Sequence, residues 1–338
     1  PIPAELGKLA ALEKLYLHEN QLSGPIPEEL GKLTALQQLF LSSNNLSGVI
    51  PAKLGALTKV TWVDLSRNEL NGPIPKELGA LSELRELWLN HNQHIDPIPS
   101  ELGNLSALRK LYLGNNQLSG HIPPELGALS ELQVLNLRCN ELTGPMPPEL
   151  GNLSSLQELN LSGRLFRGGG LTGHIPPQLG NLGALEYLHL NHNKLDGAIP
   201  AQLGALTKLA WLDLSCNKLD GLWHTLGQDQ AGSMAARPGT LPVDLARLLD
   251  MFDGLGSRGL DRNPWEHPPE AIVAGGLPAV RGYFEAMFMG GTTAVTRPLK
   301  VVIVGKETVG KTSLRRSITT GRPCMTQDGG VESTVHVD

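Results

Sequence analysis

At 338 residues the chain is long enough for two domains. Its formal net charge is −5 with both signs interspersed, which lacks the basic patch of a nucleic-acid footprint. Gly (39) and Pro (25) are abundant but regularly spaced, unlike a disordered composition, and three cysteines are too few for a disulfide framework. No run of about 20 apolar residues predicts a membrane span. The nearest candidate, from Ala271 to Gly290, contains Arg281 and Glu285. No signal peptide is present, and because the chain begins inside a repeat without an initiator Met, its true N-terminus is expected upstream.

From the first residue the chain repeats itself. A Leu-Gly pair recurs at Leu6, Leu30, Leu54, Leu78, Leu102, Leu126 and Leu150, always 24 residues apart, and resumes at Leu179 and Leu203 after a five-residue insertion. The unit reads I-P-x-x-L-G-x-L-x-x-L-x-x-L-x-L-x-x-N-x-L-x-G. The L-x-L step, as in Leu15-Tyr16-Leu17, predicts a short strand with its leucines inward and its middle residue outward. Asn20, Asn44, Asn68, Asn92, Asn116, Asn140, Asn193 and Asn217 are expected to form an internal ladder that satisfies backbone groups at a buried turn. Gly24, Gly48 and Gly72 permit the bend that follows. The I-P pair predicts an extended approach to the convex side. One unit buries too little to fold alone, so stability is expected from stacking.

This unit resembles a leucine-rich repeat, and its I-P and L-x-G elements resemble the plant-specific subtype, over Pro1 to Gly221. The resemblance implies an α/β fold, a leucine-rich-repeat solenoid with a curved parallel β-sheet on the concave face, and a protein-binding role. Two repeats depart from the pattern. In the fourth, His94 and Asp96 replace the expected Leu and Gly, and Ile95 is expected to shift inward and fill the gap. In the seventh, Gly163 to Gly170 replaces the Asn turn and adds Arg164-Leu165-Phe166-Arg167, which predicts a bulged loop. Cys139 and Cys216 occupy one repeat position three repeats apart. At about 4.8 Å per strand they are roughly 15 Å apart, too far to bridge, and free thiols point to a reducing, cytoplasmic setting.

Two outward columns of the sheet can be read directly. They hold seven of the chain's aromatic residues: Tyr16, Phe40, Trp62, Trp88, Tyr112, Tyr187 and Trp211. Aromatic side chains suit strands, but a solvent-facing row of them marks an interaction surface, so these seven are the candidate contacts for a protein partner. Carbohydrate stacking is a lesser alternative.

Residues 223–240 lose the pattern and read as an irregular insertion. Residues 241–289 read as a degenerate last repeat and a cap. There Asn263-Pro264-Trp265 and Pro268-Pro269 precede a helix from Leu277 to Met289 whose Val280, Tyr283, Phe284, Met287 and Phe288 are expected to pack on the last repeat. This segment resembles the C-terminal cap of intracellular repeat proteins. Residues 290–298 read as a linker.

Leu299 to Val304 reads as a buried parallel strand. Gly305, Lys306, Glu307, Thr308, Val309, Gly310, Lys311, Thr312 and Ser313 follow and fit G-x-x-x-x-G-K-[ST], with a helix predicted from Leu314 to Thr320. Backbone N–H groups at such a loop cradle phosphates; Lys311 would reach the β- and γ-phosphates and Thr312 would ligate Mg²⁺. Ser333 to Asp338 resembles the switch I region of small GTPases, which gives Thr334 a second place beside the metal.

Residues 299–338 thus resemble the N-terminal part of a P-loop Ras-like α/β GTPase domain. The order of repeats, cap and phosphate loop resembles the ROCO family, in which leucine-rich repeats precede a Roc GTPase domain and a COR domain, some members adding a kinase. The resemblance implies GTP or GDP with Mg²⁺ as cofactor, a guanine nucleotide and a protein as partners, a homodimer formed through a downstream region, and intracellular signalling. The D-x-x-G and N-K-x-D motifs are absent, so the chain as it stands is expected not to hydrolyse GTP, and no catalytic residue is assigned. Two alternatives stay open. One is a pure protein-binding scaffold with a vestigial phosphate loop. The other is a receptor-like extracellular repeat protein, for which Asn45, Asn104, Asn152 and Asn160 begin formal glycosylation sequons.

Overall fold

The computed structural model describes residues 1–164, 169–221 and 279–283. The chain divides into two compact units, Pro1–Met289 and Gly290–Asp338, and every described residue belongs to the first. The irregular insertion, most of the cap and the whole phosphate-loop segment lie outside the described residues.

Each L-x-L step forms a three-residue strand. These are β1 (Lys14–Tyr16), β2 (Gln38–Phe40), β3 (Trp62–Asp64), β4 (Glu86–Trp88), β5 (Lys110–Tyr112), β6 (Val134–Asn136), β7 (Glu158–Asn160), β8 (Tyr187–His189) and β9 (Trp211–Asp213). They pair in parallel, in chain order, as one nine-stranded sheet among the described residues. The register never slips: Leu15 opposes Leu39, Leu39 opposes Val63, and Val63 opposes Leu87. A constant repeat length forces this, because a one-residue shift would turn every leucine toward solvent.

The chain then bends at a left-handed glycine, as at Gly48 with φ +80°. Short strands near this bend build two further parallel ladders. One runs through Ser23–Gly24, Asn45–Val49, Glu69–Gly72 and Gln93–His94, the other through Thr172–Gly173, Lys194–Ala198 and Lys218–Gly221 later in the chain. Proline next opens a 3-10 turn. Pro27 (φ −65°, ψ 133°) precedes Glu28–Lys32, and the arrangement recurs down to Pro200 and Ala201–Ala205. The glycine of the Leu-Gly pairs from Gly7 to Gly180 lies in this turn and is required by close approach: a Cβ on Gly79 would meet the Glu101 carbonyl oxygen of the next repeat.

Between sheet and turns runs a continuous apolar core of Leu, Ile and Val from every repeat. Each fully buried leucine contributes about 2 kcal/mol by removal from water. Val280, in the five-residue helical stretch at 279–283, is buried in the same cluster, and Tyr283 packs against it.

The asparagine ladder forms from Asn44 onward, while Asn20 at its open end is exposed and bonds only the Leu17 and His18 carbonyls of its own repeat. Asn92 shows the pattern: its Oδ1 accepts from Leu70 N at 3.0 Å, while Nδ2 donates to the Leu65 and Leu89 carbonyls at 3.0 and 3.2 Å. One side chain thereby satisfies backbone groups of two repeats. The residue before each asparagine takes a left-handed conformation although it is not glycine, as at Arg67 (φ 53°), His91 (φ 57°) and Cys216 (φ 56°). Cys139 and Cys216 are both free thiols.

The fourth repeat differs from the expectation. His94, not Ile95, fills the leucine position: His94 is 0% exposed and Ile95 is 42% exposed. The ladder decides this. His94 N donates to Asn116 Oδ1 at 3.0 Å and Gln93–His94 pairs with Asn71–Gly72, so the backbone register fixes which side chain points inward. The ring finds one partner, Nδ1 at 3.2 Å from the Gly72 carbonyl, and its Nε2 has none. Asp96 holds the left-handed bend (φ 69°) that glycine supplies elsewhere.

In the seventh repeat the described residues keep the ladder going. Arg164 takes the asparagine rung. Its guanidinium donates to the Cys139 carbonyl at 3.1 Å and the Asn116 carbonyl at 2.5 Å, and pairs with Glu141 at 3.3 Å. Asn193 then resumes the ladder across the insertion, donating to the Leu161 carbonyl at 2.8 Å and accepting from Leu171 N at 2.9 Å. Residues 165–168 of the insertion lie outside the described residues.

Candidate functional site: an aromatic ridge on the sheet face

Strand alternation places the first and third residue of each strand on the outer face of the sheet. Parallel in-register pairing then stacks equivalent positions one strand spacing apart. Tyr16 opposes Phe40, and Trp88 opposes Tyr112. Trp62, at the first position of β3, bridges the two pairs. The result is an unbroken row of rings. Tyr16 and Phe40 stack at 4.9 Å, Phe40 and Trp62 meet edge to face at 4.8 Å, Trp62 and Trp88 lie 6.1 Å apart, and Trp88 and Tyr112 lie 4.7 Å apart. His18 sits edge-on to Tyr16 and Phe40 at 6.3 and 6.2 Å. Such pairs each add about 1 kcal/mol beyond burial, so the ridge is preorganised.

Polar contacts fix parts of the row. The Tyr16 hydroxyl donates to Gln38 Oε1. Trp88 Nε1 donates to Glu86 Oε2 at 3.1 Å, and the same carboxylate holds Lys110 Nζ at 3.3 Å. The Trp62 indole N–H is covered and has no acceptor, so packing alone places that ring.

Five of the seven sequence-predicted aromatic positions therefore join in one ridge. Tyr187 and Trp211 do not. They oppose each other on β8 and β9, strongly exposed, with His189 6.2 Å from Trp211. A polar stretch separates them from the ridge, where Asn136 Nδ2 donates to Glu158 Oε1 at 3.3 Å and Asn160 Oδ1 accepts from the Ser162 hydroxyl at 2.8 Å.

Charged side chains edging the ridge are missed when only the two strand columns are read. Arg85 and Arg109 immediately precede β4 and β5; Arg67 and Arg138 follow β3 and β6. All four are exposed. The signal that could have found them is the repeat spacing itself, extended one residue before and three after each strand. Titratable groups on the face register this field. His91 has its pKa lowered by partial burial and then by the cations Arg67 and Arg138. Burial first, then Glu158 and Glu86, raises that of Tyr112. For His189, burial outweighs the opposing pull of Glu158 and Asp213 and lowers the pKa, Arg138 adding to it.

Of the nucleotide-site expectations, residues Gly305 to Ser313 and Thr334 lie outside the described residues. Among the described residues no group of three or more His, Cys, Asp or Glu is placed to hold a metal ion. None of their helices is long and apolar enough to cross a membrane.

A parallel sheet of identical rungs, an asparagine ladder, further ladders after L-x-G and 3-10 turns opened by I-P together define a leucine-rich-repeat solenoid of the plant-specific kind. The chain belongs to the leucine-rich repeat family. It matches the family described as "Leucine-rich repeat region" over residues 91–226, and "Leucine Rich Repeat" over residues 11–33, 35–57 and 59–81. No curated protein matches it.

Among solved structures it is similar to the Arabidopsis receptor kinase HAESA in complex with the peptide hormone IDA and the co-receptor SERK1. That likeness has 38% identity and a TM-score of 0.62, covering 65% of this chain and 36% of that one. PEPR1–AtPEP1 is similar at 38% identity and TM-score 0.56, covering 65% and 34%. A plant ice-binding protein is similar at 33% identity and TM-score 0.56, covering 65% and 69%. The chain spans about a third of the length of the two receptor structures.

Proposed function

We propose that this protein is an interaction scaffold whose sheet face binds an extended segment of a partner protein along the ridge from Tyr16 to Tyr112. The observation that carries this reading is the continuity of the ridge: five rings on five adjacent strands touch in sequence. Preordered aromatic side chains offer contact area with little entropy left to lose, which is the character of interface hot spots. Support also comes from the HAESA structure, solved with a peptide hormone.

The test is selection of random peptides displayed on phage against the full chain, followed by affinity measurement with Trp62→Ala and Trp88→Ala. Binders that weaken about tenfold or more on these changes are expected. Binders indifferent to both, and sensitive to changes in the 3-10 turns, would place recognition on the opposite side.

A second reading rests on the Gly305 to Ser313 motif: the scaffold is coupled to a Roc-type domain that binds GTP or GDP with Mg²⁺ through Lys311, Thr312 and Thr334, in a cytoplasmic signalling protein. The free Cys139 and Cys216 suit that compartment. Fluorescent GDP with Mg²⁺ should bind a protein continued past Asp338 through a guanine-selecting motif, and Lys311→Ala should abolish it. No binding there reduces the motif to a relic and leaves the ridge as the function. Glycans at the exposed Asn45, Asn104 and Asn152 in protein from its native source would instead favour the extracellular reading.

A further inference from the structure

The chain as a whole is acidic, yet the middle of its sheet face is not. Across repeats three to six, the outward and strand-flanking positions carry Arg67, Arg85, Arg109, Lys110 and Arg138 against only Asp64 and Glu86, on a chain of net charge −5. Both carboxylates are already engaged. Asp64 Oδ1 accepts from the Ser66 hydroxyl at 2.7 Å, and Glu86 holds Lys110 and Trp88. The four arginines make no ion pair with any described acidic side chain. They lie on both edges of the ridge, Arg85 and Arg109 before the strands, Arg67 and Arg138 after them. The pKa of His91 is lowered first by partial burial and then by Arg67 and Arg138, which places both cations near that ring. Toward the end of the array the sign reverses: the corresponding positions of β8 and β9 hold Glu186 and Asp213 and no Lys or Arg.

We infer that the partner segment is acidic: an extended stretch of protein that lays apolar or aromatic side chains along the ridge and sets carboxylates against the four arginines. This deepens the proposed ridge reading and rests on it. Five strands at about 4.8 Å span roughly 19 Å, which an extended chain at about 3.3 Å per residue crosses in about six residues. The apolar row supplies affinity, and the flanking cations supply orientation and association rate. The acidic far end, with its separate Tyr187–Trp211 patch, keeps such a segment on the first half of the array. Single-stranded nucleic acid also favours rings and cations. It is disfavoured because a chain of net charge −5 lacks the extended basic groove that tracks a phosphate backbone.

The test is the same displayed-peptide selection, run in parallel on the full chain and on the full chain carrying Arg67→Glu, Arg85→Glu, Arg109→Glu and Arg138→Glu. Circular dichroism checks that the variant keeps its fold; should it not, Arg→Gln at the four positions replaces it. The expected result is enrichment of net-negative peptides with ring-packing side chains. Affinity should weaken about tenfold from 50 to 500 mM NaCl, as exposed charges are screened, and the Glu variant should lose these peptides or prefer basic ones.

Neutral or basic peptides that still depend on Trp88 would overturn the acidic assignment while leaving the ridge reading intact. Absence of any Trp88-dependent peptide overturns both. Tighter binding of a fluorescent dT12 oligonucleotide than of any selected peptide, again lost in the Glu variant, would assign the cations to nucleic acid instead.

Discussion

The rings of Trp88 and Tyr112 lie 4.7 Å apart, centroid to centroid, because in-register pairing of β4 and β5 sets one directly opposite the other. Trp88 also touches Trp62 and is anchored through its Nε1 to Glu86, so it is held from both sides of the ridge and by a polar contact.

Trp88→Ala should therefore act on binding far more than on folding. The Kd of a ridge-binding peptide should rise about tenfold to a hundredfold, the range of an interface hot spot. The fold should lose only about 1 to 2 kcal/mol from its ring contacts. Trp211→Ala, in the separate patch, should leave that Kd within about twofold. Titration calorimetry and urea unfolding of the two variants check both statements.

His94 makes stability depend on acid. Burial lowers its pKa below the usual 6.5, against a weaker upward pull from the neighbouring Gly72 and Asn71 backbone. With the folded pKa depressed, the contribution is fully present above the unfolded value and is lost as pH falls through about 6.5 toward the folded value, because only the unfolded chain takes up the proton. His94→Leu restores the repeat consensus and removes a buried Nε2 without partner. It should stabilise the protein by about 1 to 2 kcal/mol at pH 8 and by more at pH 5. Thermal unfolding at both pH values measures the difference; an equal gain at each would show that His94 is not the titrating group.

Asn92→Ala removes one acceptor and two donor contacts at once. It strands buried groups of Leu65, Leu70 and Leu89, and should cost about 3 kcal/mol or more. Asn20→Ala, whose amide meets only exposed carbonyls of Leu17 and His18, should cost less than about 1 kcal/mol. Denaturant midpoints of the pair separate the ladder's role from a general asparagine preference.

Gly79→Ala would drive a Cβ into the Glu101 backbone, where no side-chain motion relieves it. A loss of about 2 to 3 kcal/mol is expected. Gly183→Ala, with nothing within 4 Å of the added carbon, should be nearly neutral and serves as the control in the same unfolding assay.

What the sequence made legible follows from its period. Each position of the unit is sampled nine times, so the strands, the ladder and the outward columns emerge from simple alternation. The exchange of His94 and Ile95 was hidden for a physical reason. Hydrophobicity favours isoleucine inside, but the Asn116 rung and the pairing with Asn71–Gly72 fix the backbone before side chains compete. Arg164 was hidden because a guanidinium at an asparagine position matches no pattern, yet its length lets it reach the Asn116 and Cys139 carbonyls. The arginines around the ridge escaped because their columns vary freely: the position of Arg67 holds Ser43, His91, Asn115 and Cys139 in neighbouring repeats. Only their spatial convergence gives them meaning. The left-handed corner at those same residues carries no glycine to announce it.

The central claim is that the ridge face is the binding surface. Hydrogen–deuterium exchange of the full chain, with and without a saturating peptide from the displayed selection, tests it most directly. The account predicts protection gathered in β1 to β5 and the residues just after them, with the 3-10 turns Glu28–Lys32, Ala52–Ala56 and Lys76–Ala80 unchanged. Protection centred on those turns, with the strands from Lys14–Tyr16 to Lys110–Tyr112 unaffected, would contradict it.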